Sequence, residues 1–542
     1  MNAWILTLVT FIPTAGAIVL MLMPRNDKNI RWTALLISIL AFAISLYLPF
    51  AYDSGKSGFQ FETDHVWIGG VNIHYHMGAD GVSMWLVLLT TFLVPLGVLV
   101  SWKSIHDRVK EFFVLFLLLE TAMIGVFLAL DMFLFYVFWE ATLIPMALLI
   151  GMYGHERRIY AAVKFFLYTM VASVFMLAAV IWLYTHSGSF DYEYVRNWIA
   201  TKGNVSAGAI QWLFLGFFIA FAVKVPLFPL HTWLPDAHVE APTAGSLLLA
   251  SVLLKMGTYG LLRFNVGMFP AEAHRHAPWI NVLAIIGIIY GALVALVQPN
   301  LKKLIAYSSV SHLGFVVLGI FTFTQVGTDG AVYQMLNHGI STGALFMLAG
   351  MLYERKHTYE LSEYGGLATP MPIYATFFLI VVLSSVGLPL LNGFVGEFLV
   401  LSGAFQDKII YGALAASGVI WSAAYLLWMY QRVFYGPMVH EENRALPDID
   451  AREQISLWPL AVMAVVMGVV SPLFMKSIDH SVAEIKKPKE AVTAGHTSNN
   501  NAASSNYGNF GNFGTYGNFG SSGNSAIRRS KSEPSVKRGR QR

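Results

Sequence analysis

The chain has 542 residues, of which 56% are hydrophobic and only 12% charged. A soluble globular chain carries about 25% charged residues, so this composition excludes a water-facing surface over most of the molecule and leaves one that faces lipid. Cysteine is absent, which excludes disulfides, thiolate chemistry and cysteine-ligated iron–sulfur clusters within the chain. The formal charge of +4 belongs to one end: between Arg528 and Arg542 seven basic residues face a single acid, Glu533. The apolar body is close to neutral.

Continuous apolar runs of about 20 residues recur, each long enough to cross a hydrocarbon core of ~30 Å. Inside lipid the backbone must satisfy itself, which admits helices or a closed barrel. Unbroken rather than alternating hydrophobicity selects helices. The predicted fold is an all-α polytopic membrane protein with about fourteen transmembrane helices. In chain order they fall near 3–23, 32–50, 80–102, 112–130, 132–153, 161–185, 209–228, 243–264, 279–297, 304–323, 331–353, 372–402, 411–435 and 456–475. The first run, Trp4 to Met23, has no basic segment before it and no small-residue cleavage site, and reads as a retained helix.

Basic residues crowd the loops after the odd-numbered spans: Arg25, Lys28 and Arg31; Lys103, Arg108 and Lys110; Arg157 and Arg158; Lys302 and Lys303; Arg355 and Lys356. All five loops fall on one side, which should be cytoplasmic. Both termini then lie outside, on the periplasmic side of a Gram-negative inner membrane. From about residue 483 the character changes to a polar stretch followed by YGNFGNFGTYGNFG, with Tyr507, Phe510, Phe513, Tyr516 and Phe519 spaced three apart. Glycine at that density forfeits too much backbone entropy to pack. The segment 483–542 is expected to be disordered, either inert or a weak sticky contact, and its outer placement argues against nucleic acid.

Ionisable residues inside the apolar runs are the informative ones, because each is expensive against lipid and must face protein or water. Each has two readings, a structural ion pair or a proton relay. Glu140, in FYVFWEATLIPM, has no basic residue within one turn, so its partner comes from another helix or from water. Lys224, in AVKVPLFPLHTWLPDAHVEAPT, precedes Pro226 and Pro229, which should break the helix and line an ion site. His231, Asp236, His238 and Glu240 continue a polar path from it. A metal site at His231, His238 and Glu240 is disfavoured, because prolines interrupt the helix that would present them. Lys255 lies mid-span in SVLLKMGTYGLLRF, and Arg263, two turns onward, reads as an interfacial anchor. His312 and His338 sit in polar-interrupted spans, where a histidine either bonds quietly in the core or passes a proton. Glu397 follows Gly387, Pro389, Gly393 and Gly396, so it stands beside a second helix break. Two breaks five spans apart suggest inverted repeats. Glu120 and Asp131 flank the fourth span, and Lys164 opens the sixth, within reach of a salt bridge to Glu120 or Glu140.

The segments FYVFWEATLIPM, KVPLFPLHTWLPDAHVEAPTAGS, LLKMGTYGLLRF and NGFVGEF resemble the antiporter-like proton-translocating subunits of respiratory complex I, over residues 1 to 475. The glutamate of NGFVGEF resembles the subunit M branch, the counterpart of mitochondrial subunit 4. The resemblance implies fourteen helices with five-helix inverted repeats and discontinuous helices 7 and 12. Its domains would be 1–111, three N-terminal helices; 112–264 and 279–435, the two repeats; 456–475, a last helix; and the tail 483–542. It implies functional roles for Glu140, Lys224, Lys255, Glu397, His312 and His338; Lys164 and His231 join them as site candidates on the reading of the residues alone. It also implies that the chain binds no cofactor or metal, since NADH, FMN, iron–sulfur clusters and quinone belong to partner subunits. The partners would be other complex I membrane subunits, chiefly the neighbouring antiporter-like ones, and the bilayer. On this reading a proton moves from Lys224 through His312, His338 or water to Lys255, then to Glu397. The alternative is a subunit of a multi-subunit cation/proton antiporter or membrane-bound hydrogenase. A passive scaffold is a third reading, against which unpaired mid-span charges argue.

Overall fold

The computed structural model describes residues 4–201, 205–438 and 440–487. Among them, twelve helices are long and apolar enough to cross a membrane. In chain order they are α1 (Ile5–Leu22), α2 (Asp27–Ala51), α3 (Gly81–Ser104), α4 (Val109–Leu128), α5 (Met132–Tyr153), α6 (Arg158–Ser187) and α7 (Ala207–Lys224). After the short helix α8 (Trp233–Glu240) come α9 (Thr243–Val266), α10 (Pro270–Leu296), α11 (Leu301–Phe321) and α12 (Gln325–Lys356). Two shorter helices, α13 (Pro372–Val386) and α14 (Asn392–Asp407), precede the twelfth long one, α15 (Ile409–Tyr435). The described residues end in α16 (Ala451–Val469) and α17 (Ser471–Lys486), bent by 71° at their junction.

Every expected span meets helix, with local chemistry moving the ends. The span expected from 279 begins nine residues earlier, at Pro270, because proline suits a first helical turn, where its missing N–H is no loss. The span expected from 331 begins at Gln325, where the Thr324 side chain accepts from Gly327 N and caps the helix. The expected single span 372–402 is two helices separated at 387–391. The last span, expected to end at 475, ends at Val469 and turns into α17. Residues 483–486, expected to be disordered, complete that helix. The remainder of the tail, 488–542, lies outside the described residues.

Between α2 and α3 stands an antiparallel hairpin that hydropathy did not announce, β1 (Gln60–Ile68) and β2 (Ile73–Ala79). It sits at the end of the bundle away from the basic loops. Asp131 ties it down: Oδ1 accepts from Phe133 N and Leu134 N to cap α5, and Oδ2 accepts from His74 N at 3.0 Å. His76 Nδ1 meets Asp191 Oδ2 at 2.8 Å beyond the end of α6. At the other end the basic loops converge. Arg25 pairs with Glu111 at 3.1 Å, Arg31 donates to Ile105 O, and Lys103 pairs with Asp450 at 2.8 Å.

Exposure divides the helices. The apolar middle stretches of α9 and α12 are wholly buried, and that of α11 nearly so, whereas α2, α6 and α15 keep apolar faces outward. The most polar helices therefore form the axis of the bundle, where their side chains can meet partners other than lipid.

Candidate functional site

The first helix break follows Lys224. Pro226 cannot donate and its ring clashes with the preceding turn, so α7 stops and the chain runs irregularly to α8. Trp233 Nε1 donates to Val223 O at 2.9 Å, satisfying one carbonyl orphaned by the break. Lys224 is fully buried, and its Nζ has no hydrogen-bond partner. It lies 5.4 Å from the Trp139 ring and 5.5 Å from the Phe165 ring, an aromatic setting that favours a cation. Glu140, the residue after Trp139, is within electrostatic reach, yet no ion pair joins the two. Pro145 removes the bond to the Ala141 carbonyl, and α5 is interrupted at Thr142, two residues after Glu140. Glu140 Oε1 is buried without a partner, beside Tyr136.

Lys164 reaches neither Glu120 nor Glu140, the two partners expected for it. Its Nζ pairs with Asp236 Oδ2 at 2.6 Å, because α8 packs across α6 once the chain turns at the break. Glu120 lies well inside α4 rather than at its edge, with both carboxyl oxygens buried and unpartnered. Arg263 is not an interfacial anchor: it is 4% exposed and closes a buried ion pair with Asp80, with Tyr259 and Tyr192 against its guanidinium. His231 and His238 are apart in environment. The first sits by Phe228 and Tyr290, and the second stacks on Phe346 at 4.3 Å.

The second break places Glu397. Gly387 ends α13 at φ +82°, a conformation that disfavours a side chain, and a Cβ there would stand 3.2 Å from Glu397 Oε2. Gly396 lets α14 close on α12, since a Cβ there would lie 2.5 Å from Gln334 Oε1. Glu397 is 3% exposed. Its Oε1 lies 2.8 Å from His312 Nδ1 and accepts from Gln334 Nε2 at 3.0 Å. His312 Nε2 is 3.3 Å from the Tyr425 hydroxyl.

From His312 the polar chain continues to Lys255. The rings of His312 and His338 are 5.9 Å apart, and His338 Nδ1 lies 2.6 Å from Lys255 Nζ. Lys255 Nζ also donates to Ala250 O at 2.7 Å, a carbonyl within the π-helical turn Leu249–Leu253. The two histidines thus stand between Lys255 and Glu397, not between Lys224 and Lys255 as expected. The reason is the path of α12, which brings His338 against α9 while α11 brings His312 against α14. A cavity of about 10 Å³ beside them, lined by Asn337, Ser341 and Ser384, is near the size one water needs.

Gln334, Asn337 and Tyr425 belong to this network and escaped the sequence reading, which sought charges. A signal was present: Gln334, Asn337 and His338 recur at i, i+3 and i+4, which puts them on one helix face.

A helical membrane protein whose buried axis is built of lysine, histidine and glutamate is of the class that moves protons or cations across the bilayer. The family described as NADH:quinone oxidoreductase/Mrp antiporter, TM, matches residues 129–422. The description NADH-ubiquinone oxidoreductase chain 4, amino terminus, matches residues 7–130. The chain is 47% identical over 494 residues to the NADH-quinone oxidoreductase subunit M of Rhodobacter capsulatus, covering 89% of this chain and 96% of that one. It is 42% identical to the NADH-ubiquinone oxidoreductase chain 4 of Chondrus crispus over 482 residues, covering 89% and 96%. Among solved structures, a chain of respiratory complex I from Thermus thermophilus with bound NADH superimposes with a TM-score of 0.80 at 34% identity, covering 89% of this chain and 100% of that one. A chain of the Mrp complex from Dietzia sp. DQ12-45-1b has the same fold, with a TM-score of 0.79 at 18% identity over 90% and 98%. The chain belongs to the family of NADH:quinone oxidoreductase/Mrp antiporter membrane subunits, on its chain 4 or subunit M branch.

Proposed function

We infer that the chain is a proton-translocating membrane subunit of an NADH–quinone oxidoreductase, coupling electron transfer in partner subunits to proton movement across the bilayer. The observation that carries this reading is the buried succession Lys255, His338, His312 and Glu397. Each member can hold or release a proton, and each is out of water. A proton leaving the Lys255 ammonium is accepted at His338 Nδ1. The opposite ring nitrogen then releases one toward His312, and His312 Nδ1 delivers one to Glu397. Lys224 and Glu140 form the charge-sensitive element of the first half. Gaining or losing a proton on Glu140 changes what an unpartnered, ring-enclosed Lys224 can hold. The two halves, each with a broken helix beside a charge, form inverted repeats.

The remaining features of this reading follow from membership of such a complex. NADH, FMN, iron–sulfur clusters and quinone are bound by partner subunits, and the neighbouring partners are other antiporter-like subunits. The protein resides in a bacterial inner membrane with its basic-loop end toward the cytoplasm. The runner-up, a subunit of a cation/proton antiporter, shares the fold, and identity favours the oxidoreductase: 47% to a subunit M against 18% to the Mrp chain. The deciding experiment measures NADH-driven quinone reduction and acidification in inverted membrane vesicles, with and without the gene. Loss of both signals, restored by the gene, supports the oxidoreductase. Undiminished activity with a new sodium or pH sensitivity of growth moves the chain to the antiporter reading.

A further inference from the structure

A cavity of about 400 Å³ opens at the basic-loop end, among the ends of α3, α5, α9 and α12. Its wall carries His106, His155, His357, Glu354 and Tyr359. Glu354 Oε1 is buried there without a hydrogen-bond partner. His155, in the loop after α5, lies with its Nδ1 3.4 Å from the Tyr353 hydroxyl. Burial and the charge of Lys302 press its imidazole down to about 4, so it is neutral at neutral pH and free to accept a proton only transiently.

Lys302 stands behind this wall. The sequence places it in a basic loop, yet it is 1% exposed, at the start of α11. Its Nζ lies 5.1 Å over the Tyr359 ring and donates to Ala241 O at 2.6 Å and Val239 O at 3.3 Å. On its inner side it is within electrostatic reach of Glu240 and His238. His238 is in turn within reach of Lys255, and both of its ring nitrogens are buried without partners. Capping the end of α8 explains the bonds of Lys302 to two carbonyls. It does not explain a fully buried imidazole with two free nitrogens within electrostatic reach of two buried lysines. Unpaired polar groups are costly in a dry interior, whereas a donor, an amphoteric ring and an acceptor in that order are what proton transfer needs.

We propose that this cavity takes up protons and that Lys302 and His238 pass them inward to Lys255. Lys302 releases a proton to one ring nitrogen of His238. The other ring nitrogen gives its proton to the neutral amine of Lys255, and Lys302 is reloaded from the cavity. The proposal rests on the proton-translocating function above and adds its uptake site and two proton-carrying residues.

Lys302→Arg separates capping from transfer. The guanidinium keeps the charge and can donate to the same carbonyls, but it does not release a proton. In inverted vesicles, the assembled Lys302→Arg complex is expected to lose NADH-driven acidification. If it acidifies like wild type while Glu397→Gln does not, the uptake route is wrong and the function stands. If both variants acidify like wild type, the function itself is wrong. A second variant covers failure of Lys302→Arg to assemble. The chain has no cysteine, so Thr243→Cys places a single thiol of this subunit in the cavity wall. A membrane-impermeant cationic thiol reagent added to inverted vesicles is expected to label it and suppress acidification relative to treated wild type. Labelling only from right-side-out vesicles, or labelling without effect on acidification, overturns the proposal.

Discussion

Lys255 Nζ and His338 Nδ1 are 2.6 Å apart in the interior of the bundle, on helices α9 and α12, which hydropathy alone does not pair. With the lysine donating, Nδ1 is the acceptor and the remaining ring proton is on Nε2. The contact therefore sets the tautomer as well as the path. Lys255→Arg keeps the charge and loses the ability to give up a proton. It is expected to leave assembly intact and remove NADH-driven acidification. Wild-type acidification in that variant excludes proton release by Lys255.

Glu140→Gln removes the charge that Lys224 senses while keeping volume and hydrogen-bonding shape. Proton pumping and coupled quinone reduction should fall together, with the complex still assembled on a native gel. Normal coupled turnover would remove Glu140 from the mechanism.

Gly387→Ala tests the second break. A side chain at φ +82° is strained by roughly 1–2 kcal/mol, and its Cβ would crowd the Glu397 carboxylate. Both a lower thermal midpoint of the subunit in the complex and reduced acidification are expected. Gly188→Ala is the control, since Gly188 also has positive φ, +78°, but open space at the Cβ position. It should lower the midpoint and spare acidification.

The hairpin should respond to pH. Burial opposes protonation of His76, but its hydrogen bond to Asp191 and the nearby acids Asp191, Asp64 and Glu62 prevail, and its imidazole is raised above the ordinary histidine range. Burial likewise opposes the Asp191 charge, and the His76 bond outweighs it and lowers that carboxyl. The raised histidine contributes stability present below its unfolded value and lost as pH rises through its folded one. The lowered aspartate contributes stability present above its unfolded value and lost as pH falls through its folded one. The protection of β2 amides, taken relative to the intrinsic exchange rate at each pH, is therefore expected to be greatest between the two limits and to fall on either side. His76→Gln should abolish the alkaline fall in protection.

Lys164 and Asp236 offer a double-mutant cycle. The pair is mostly withdrawn from water, with side-chain exposures of 18% and 28%. Lys164→Met and Asp236→Asn should each weaken stability, and the double variant should cost less than their sum, with a coupling of about 0.5–3 kcal/mol. Additive effects would mean that the contact is incidental.

The contrast between what was legible and what was not follows from the reach of each interaction. The helices, the two breaks and the mid-span charges were readable because their causes are local. An apolar run of fixed length must be helix in lipid, and Pro226 or Gly387 acts within a turn. The hairpin at Gln60–Ala79 has GG at 69–70 in its turn, but its strands are short and rich in polar residues and form no long apolar run.

Partnership is decided by packing between residues about 60 to 85 apart in the chain, and there the sequence offers only candidates. Lys164 is expected from sequence to meet Glu120 or Glu140, and the turn of α8 across α6 gives it Asp236 instead. Lys302 looked like a water-facing loop charge, and only the fold of residues 239–241 over it buried it. The order Lys255, His338, His312, Glu397 belongs to the tertiary structure for the same reason. The chain supplies four ionisable groups at mid-helix, and the crossing of α9, α11, α12 and α14 determines which touch.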